Sequence, residues 1–329
     1  MNEFKYFSLE KEIETRGRKI HGFVNIDAKP DGSYVRLPVL MAIGKEDGPI
    51  VLADGCNHGD EHEGAEAIIA AYNTLDVDKM KGTFIGVPVI NMEAFNNMCR
   101  YGTTDFVPVD MNRIFPGNEK GSISQYVAHF YTENFVRKVN ALITIHGGGN
   151  YLYLEPITLY QDNNDELSKT SAEMAKAFGY KYLWKNKYYS EDSGFLDEVS
   201  HRLGVPSITP EIGGQTTRNG SREKNIADTC EGIFNVLRVF KIIDEPVKPV
   251  QQQINVEVDY LFCKEGGFNK PQKRPGEMVK KGECLAIITN LFGEEIDRVE
   301  APFDGVVVGY WAYSICQPRS WICMLGKVE

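Results

Sequence analysis

Apolar and polar residues follow two different rhythms along this chain. V-R-L-P-V-L-M-A-I-G (35–44) and G-P-I-V-L-A-D-G (48–55) are short apolar runs closed by glycine, the pattern of strands buried on both faces. After the second run, H-E-G-A-E-A-I-I-A-A-Y-N-T-L places its apolar residues at helical intervals, predicting a helix that begins around Asp60. G-T-F-I-G-V-P-V-I-N (82–91) then returns to a strand, completing a strand, helix, strand unit. The alternation continues with a helix over 124–139, strands at 141–146 and 151–160, and a helix over 168–178. A glycine-stopped helix (196–204), a strand (206–212) and a helix (226–240) follow. The pattern predicts an α/β protein with a largely parallel or mixed sheet flanked by helices.

Near Glu245 the rhythm changes. E-P-V-K-P-V-Q-Q-Q carries two prolines and three glutamines, and the residues after it read as strand and turn without a helical period. A boundary there gives a large domain over 1–246 and a small all-β domain over 247–329. The tail, with P-G-E-M-V-K-K-G-E-C-L-A-I-I-T-N and V-E-A-P-F-D-G-V-V-V-G-Y, resembles the barrel-sandwich of biotinyl and lipoyl carrier domains. Those carriers present a lysine at a hairpin tip; the corresponding T-N-L-F-G-E-E-I-D has none. The resemblance implies a fold and not a carrier role.

Composition narrows the partners. The 329 residues are 42% apolar and 11% aromatic, enough for a large core. The formal net charge of -10 contains no basic run, so neither nucleic acid nor an anionic membrane is an expected partner. Seven scattered cysteines without a C-x-x-C pair fit reduced thiols and a cytoplasmic setting. No run approaches the ~20 apolar residues of a membrane span, and the N-terminus lacks the apolar stretch of a signal peptide.

Chemistry collects at strand ends, where open α/β sheets place their ligands. D-G-C-N-H-G-D-E-H-E-G-A-E follows the strand at 48–55, I-H-G-G-G ends the strand at 141–146, and P-E-I-G-G ends the strand at 206–212; D-M-N-R-I-F-P-G (110–117) reads as a loop. His58 and Glu61, three apart at a helix start, share one face and can share a small cation. A lone strand-end histidine more often makes a hydrogen bond or a cap than a metal bond. His146, followed by three glycines, supplies the third ligand that a catalytic zinc with an open position requires. Glu211, with apolar neighbours Pro210 and Ile212 and two glycines behind them, suits a general base of raised pKa. Asn112 and Arg113 pair an amide with a planar guanidinium suited to a substrate carboxylate. The aromatic loop W-K-N-K-Y-Y (184–189) reads as surface packing before pocket.

H-x-x-E, D-x-N-R, the strand-end His146 and E-I-G-G, in this order, resemble the succinylglutamate desuccinylase and aspartoacylase family of the zinc carboxypeptidase clan. The likeness covers roughly residues 35 to 240, and the small β domain is also a family feature. It implies a zinc-carboxypeptidase-like fold and one zinc per chain held by His58, Glu61 and His146. It further implies water activation by Glu211 and carboxylate binding by Arg113 with Asn112. Arg100 is the nearest match to the family arginine that polarises the scissile carbonyl, with about five extra residues before the N-R pair. A second substrate-gripping arginine has three candidates: Arg202, Arg218 and Arg222.

The opening cluster also spells H-x-x-E-H (His58, Glu61, His62), the inverted zinc-protease signature. That motif needs a continuous helix, which Gly59 opposes, and it leaves His146 and Glu211 without roles; His62 is expected to point away from the metal. H-G-G-G as an esterase oxyanion loop would require a G-x-S-x-G elbow, and the sequence contains none. A metal-free binding protein is disfavoured because all metal and base positions hold competent residues. The expectation is a zinc-dependent amidohydrolase cleaving a small N-acyl amino acid or N-acyl amine. A metallocarboxypeptidase acting on short or modified peptides is the alternative. An oligomer is compatible with this architecture, and the sequence does not fix its order.

Overall fold

The computed structural model describes residues 3–4, 7–102, 105–186, 190, 192–215 and 221–329. A 14-stranded mixed sheet runs through the molecule, and a separate four-stranded sheet lies in the C-terminal region. Strand Glu46–Asp54 pairs in parallel with Lys81–Val87 on one side and Ala141–Thr144 on the other; Ser207–Gly214 follows in parallel beside Ala141–Thr144. These are the central strands that the apolar runs predict. Consecutive residues feed opposite faces: Val51 and Ala53 pack with helices His62–Thr74, Glu166–Phe178 and Arg222–Val239, while Leu52 packs with Leu9–Glu14, Ile123–Asn134 and Leu196–Arg202. Both faces are covered, so strand residues can be apolar without alternation.

Boundaries shift modestly from the sequence pattern. The helix expected over 124–139 ends at Asn134 and continues as a short 3-10 turn, and the last helix of this region starts at Arg222 rather than 226. The antiparallel partner of Tyr34–Ile43, Arg18–Ala28, has no counterpart in the pattern because its side chains are mostly half-buried or exposed.

After residue 253 every described regular element is a strand. Gly267–Pro271, Cys284–Thr289, Glu295–Glu300 and Ile315–Cys316 form the separate four-stranded sheet, and the others join the large one. Ile254–Phe262 pairs in parallel with Tyr182–Asn186, and Gly305–Trp311 pairs antiparallel with the first residues of Leu152–Gln161. Ile254–Phe262, Met278–Val279, Gly305–Trp311 and Trp321–Val328 thereby extend the large sheet. Among the described residues, no helix is long and apolar enough to cross a membrane.

Candidate active site

The site is assembled where the central strands end. Past Gly55 the chain turns through Cys56, which adopts a left-handed φ of 46°, into the segment bearing His58 and Glu61. Gly59 lies against Met92–Asn96: a Cβ there would sit 2.0 Å from the Ala94 carbonyl carbon and 2.1 Å from the Phe95 nitrogen. Only glycine permits that approach. The helix begins at His62 with Glu61 as its N-cap, two residues later than the pattern around Asp60 predicts. His58 and Glu61 therefore sit in a turn, which argues against the continuous helix of H-x-x-E-H. His62 Nε2 lies 3.0 Å from the Gly59 carbonyl oxygen, and its ring packs edge-on against Phe95.

His58 Nδ1 lies 2.7 Å from Glu61 Oε1, His146 Nδ1 lies 3.0 Å from Glu61 Oε2, and the two Nδ1 atoms are 3.2 Å apart. One ligand atom from each of the three buried side chains falls within 4.8 Å of the others. Two ring nitrogens facing each other beside a carboxylate are a donor set that could hold a single metal ion. The surroundings hold these donors in place. His58 Nε2 is 3.1 Å from Asp110 Oδ1, which orients the ring so that Nδ1 faces the common point. The Gly147 N–H donates to Glu61 Oε2 at 3.0 Å. Asp60 accepts from the Asn150 N–H at 2.8 Å, tying the first strand end to the glycine loop after His146.

Charge is balanced within this half of the site. Burial would raise the Glu61 and Asp110 carboxyls, but His58 and His146 hold Glu61 well below the usual carboxylate range, and His58, Arg100 and Arg113 do the same for Asp110. Arg100 donates to Asp110 Oδ2 at 3.2 Å and reaches Glu61 Oε1 at 3.4 Å. Its guanidinium thus stands at the edge of the ligand cluster.

Glu211 approaches from the neighbouring strand. It is the register partner of His146, and burial pushes its carboxyl up to about 8 while His146 pulls it down. A carboxyl titrating near neutrality is suited to taking and returning a proton. Met111–Arg113 forms a 3-10 turn capped by Asp110. Asn112 Oδ1 accepts from the Leu196 N–H at 2.9 Å, and Asn112 Nδ2 lies 3.4 Å from His146 Nε2. The Arg113 guanidinium stacks on Phe195 at 4.1 Å and keeps its side chain 47% exposed, which leaves it open to an anionic group.

All seven sequence-predicted residues, His58, Glu61, Arg100, Asn112, Arg113, His146 and Glu211, line one cavity of about 900 Å³. Tyr260, Trp311, Trp321 and Met324 close it from the C-terminal strands. Comparison with known proteins fits this geometry. A family model for the succinylglutamate desuccinylase/aspartoacylase catalytic domain matches residues 47–240, more than half of the chain. The chain belongs to the succinylglutamate desuccinylase/aspartoacylase family. A relative from Halomonas elongata, N-alpha-acetyl-L-2,4-diaminobutyric acid deacetylase, is 28% identical over 300 residues, covering 87% of this chain and 85% of the relative. The crystal structure of a succinylglutamate desuccinylase from Silicibacter sp. TM1040 superposes with a TM-score of 0.87 at 24% identity, covering 96% of this chain and 97% of the other. A product-bound ectoine utilization protein from Ruegeria pomeroyi gives 0.86 at 23% identity, with 95% and 96% covered. These two likenesses show the shared mixed α/β fold.

Within this family member, two of the three candidate second arginines lie away from the cavity lining. Arg202 donates to the Ser190 and Ser193 carbonyl oxygens, and Arg222 pairs with Glu66. Arg218 lies outside the described residues, as do residues 187–189 of the aromatic loop. Trp184 and Asn186, in a stretch expected to serve surface packing, line the cavity instead. Asp197, Glu198, Gln161 and Thr209 also line it and carry no sequence motif. They come from three elements that only the strand register brings together.

Proposed function

We propose that this protein is a zinc-dependent deacylase that cleaves the amide of a small N-acyl amino acid. The reading is carried by one observation: two imidazole nitrogens and the Glu61 carboxylate converge on a single point, with Glu211 beside them on the adjacent strand. His58, Glu61 and His146 would hold one zinc. When bound, zinc supplies Lewis acidity, acidifying water and polarising the amide carbonyl. Glu211 takes the proton as water oxygen bonds to the carbonyl carbon. It returns that proton to the amide nitrogen as the C–N bond breaks, releasing a carboxylic acid and an amine. Arg100, at the edge of the ligand cluster, offers its positive charge to the oxyanion. Arg113 with Asn112 receives the substrate carboxylate.

The deacetylase activity in the name of the Halomonas elongata relative supports the deacylase class. A cavity of about 900 Å³ capped by aromatic side chains is of small-molecule size, which favours this reading over a peptide-cleaving carboxypeptidase. The division into a catalytic domain (1–246) and a small β domain of barrel-sandwich type (247–329) belongs to the same proposal. So does a cytoplasmic setting, supported by seven free cysteines.

The full chain supplied with zinc should bind about one ion per chain and hydrolyse N-acetyl amino acids. Dialysis against a chelator should abolish turnover, and zinc should restore it. Unchanged turnover by protein shown to be metal-free would defeat the reading.

A further inference from the structure

The helix His62–Thr74 meets two neighbouring strand ends with two carboxylates at its start. Glu61, its N-cap, accepts the Gly147 N–H at 3.0 Å, one residue after His146. Glu63, in the first turn, accepts the Gly214 N–H at 3.4 Å, three residues after Glu211. That bond is longer than the common range, and packing supports it: a Cβ at Gly213 would sit 2.1 Å from Glu63 Oε1. The Glu63 carboxylate therefore lies directly against the turn that follows Glu211. Glu63 is 1% exposed and is not part of the cavity lining, so it acts on a bound substrate only through the backbone.

The strand end needs such a support. Pairing of Ser207–Gly214 with Leu152–Gln161 slips between Glu211 and Gly213, so the regular ladder breaks immediately after Glu211. Gly213 and Gly214 follow with φ of 60° and 121°, a conformation that suits glycine alone. An irregularity of this kind re-aims the neighbouring side chain, but two glycines do not by themselves fix one conformation. Across from it, Glu211 is in register with His146, and the Gly148 N–H donates to the Ile212 carbonyl oxygen at 3.3 Å. The strand end bearing Glu211 is thus held from two sides, by the glycine loop after His146 and by Glu63.

Glu61 and Glu63 are two residues apart at one helix start. Glu61 belongs to the candidate ligand set, so a helix that fixes both carboxylates also fixes the offset between that set and Glu211. Removing the second acceptor would remove a charge-assisted bond and leave a pliable glycine turn free to move. Displacement of a reacting group by about 1 Å is enough to lower a rate about 10²-fold.

We propose that Glu63 is a positioning residue for Glu211: by holding the Gly213–Gly214 turn it sets where the Glu211 carboxylate stands relative to His58, Glu61 and His146. This role rests on the deacylase reading, in which Glu211 takes and returns the proton. Glu63→Met fills similar space without an acceptor, and Glu63→Gln keeps the acceptor without the charge. Both are compared with wild type as zinc-supplied full chains, on the N-acetyl amino acid that wild type hydrolyses fastest. Glu63→Met should lower kcat about 10- to 100-fold, with KM within about threefold of wild type and about one zinc per chain. Glu63→Gln should recover most of the lost kcat. Glu63→Ala, also without an acceptor, makes the same comparison if the methionine variant does not fold. Amide hydrogen exchange across residues 212–215 gives a readout independent of turnover, and it should be faster in Glu63→Met and slow again in Glu63→Gln. Wild-type kcat in Glu63→Met, equal losses in the two variants, loss of zinc, or unchanged exchange would each overturn the role while leaving the deacylase reading intact. A wild-type chain that hydrolyses no N-acetyl amino acid would remove the deacylase reading and this role with it.

Discussion

Two sets of buried carboxylates share the cavity, and their surroundings differ in kind. Glu61 and Asp110 sit among His58, His146, Arg100 and Arg113, which hold both carboxyls below the usual range. Glu211, Asp197 and Glu198 are pushed the other way, chiefly by burial, with weaker compensation. The first set is already matched by the protein's own cations and hydrogen bonds, so its task is to hold a fixed geometry. In the second set burial outweighs the pull of His146 and Arg100 on Glu211, of His146 on Asp197 and of Arg202 on Glu198, so these carboxyls are the ones disposed to hold a proton. The same residue type is thus held charged on one side of the cavity and pushed toward its neutral form on the other.

The largest effect should come from emptying the matched side. His146→Ala removes one of three donors from a set whose ligand atoms span no more than 4.8 Å. The variant should lose its metal and, with it, all turnover. Metal analysis showing full occupancy would break the comparison at its base. Glu211→Gln should behave oppositely: metal content near wild type, with kcat reduced about 10²- to 10⁴-fold. If that variant also lost its metal, Glu211 would belong to the matched side.

Smaller changes separate holding from reading. Arg113→Ala removes an exposed cation that contributes little to Asp110, 3.9 Å away. It should raise KM about 10- to 100-fold for a carboxylate-bearing substrate while leaving metal content unchanged. Asp110→Asn loses the anionic partner of His58 Nε2 and of Arg100. Its expected signature is metal affinity weakened about 10- to 100-fold, read by competition with a chromophoric chelator. Unaltered metal affinity would move Asp110 out of the holding set.

How much of this was legible in the sequence follows spacing rather than charge. The candidate ligands and Glu211 were readable because they sit at strand ends beside glycines, in short clusters whose spacing has a chemical meaning, H-x-x-E, H-G-G-G and E-I-G-G, with D-x-N-R in a loop. The rest of the lining was not. Gln161 and Asp197 are 36 residues apart, and neither neighbourhood differs from an ordinary strand end or helix start. What joins them is the packing of Leu196–Arg202 near Ser207, whose Oγ donates to the Asp197 carbonyl oxygen at 3.2 Å. Likewise the change of texture near Glu245 was visible, but the pairing of Gly305–Trp311 with Leu152–Gln161 was not. Local spacing is written in a sequence; register between distant strands is a property of the folded chain.

Asp54 tests the rule outside the cavity, where the expected effect is smallest. It is fully buried at the end of Glu46–Asp54, and its Oδ2 accepts from the Tyr131 hydroxyl at 2.7 Å. Burial pushes its carboxyl up to about 6, against the pull of the Tyr131 and Thr144 hydroxyls. The folded protein therefore binds this proton more tightly than the unfolded chain, whose aspartates titrate near ~3.9. The stability this proton contributes is complete below that value and is lost as pH rises through about 6. Asp54→Asn carries no such proton, so its Tm relative to wild type should improve by a few degrees between pH 5 and pH 7.5, with contributions from other titrating groups cancelling in the difference. A difference that stays flat, or moves against the variant, would mean that the neighbouring hydroxyls of Tyr131 and Thr144 suffice to keep a buried carboxylate charged, and that burial alone does not push the unmatched carboxyls of the cavity toward their neutral form.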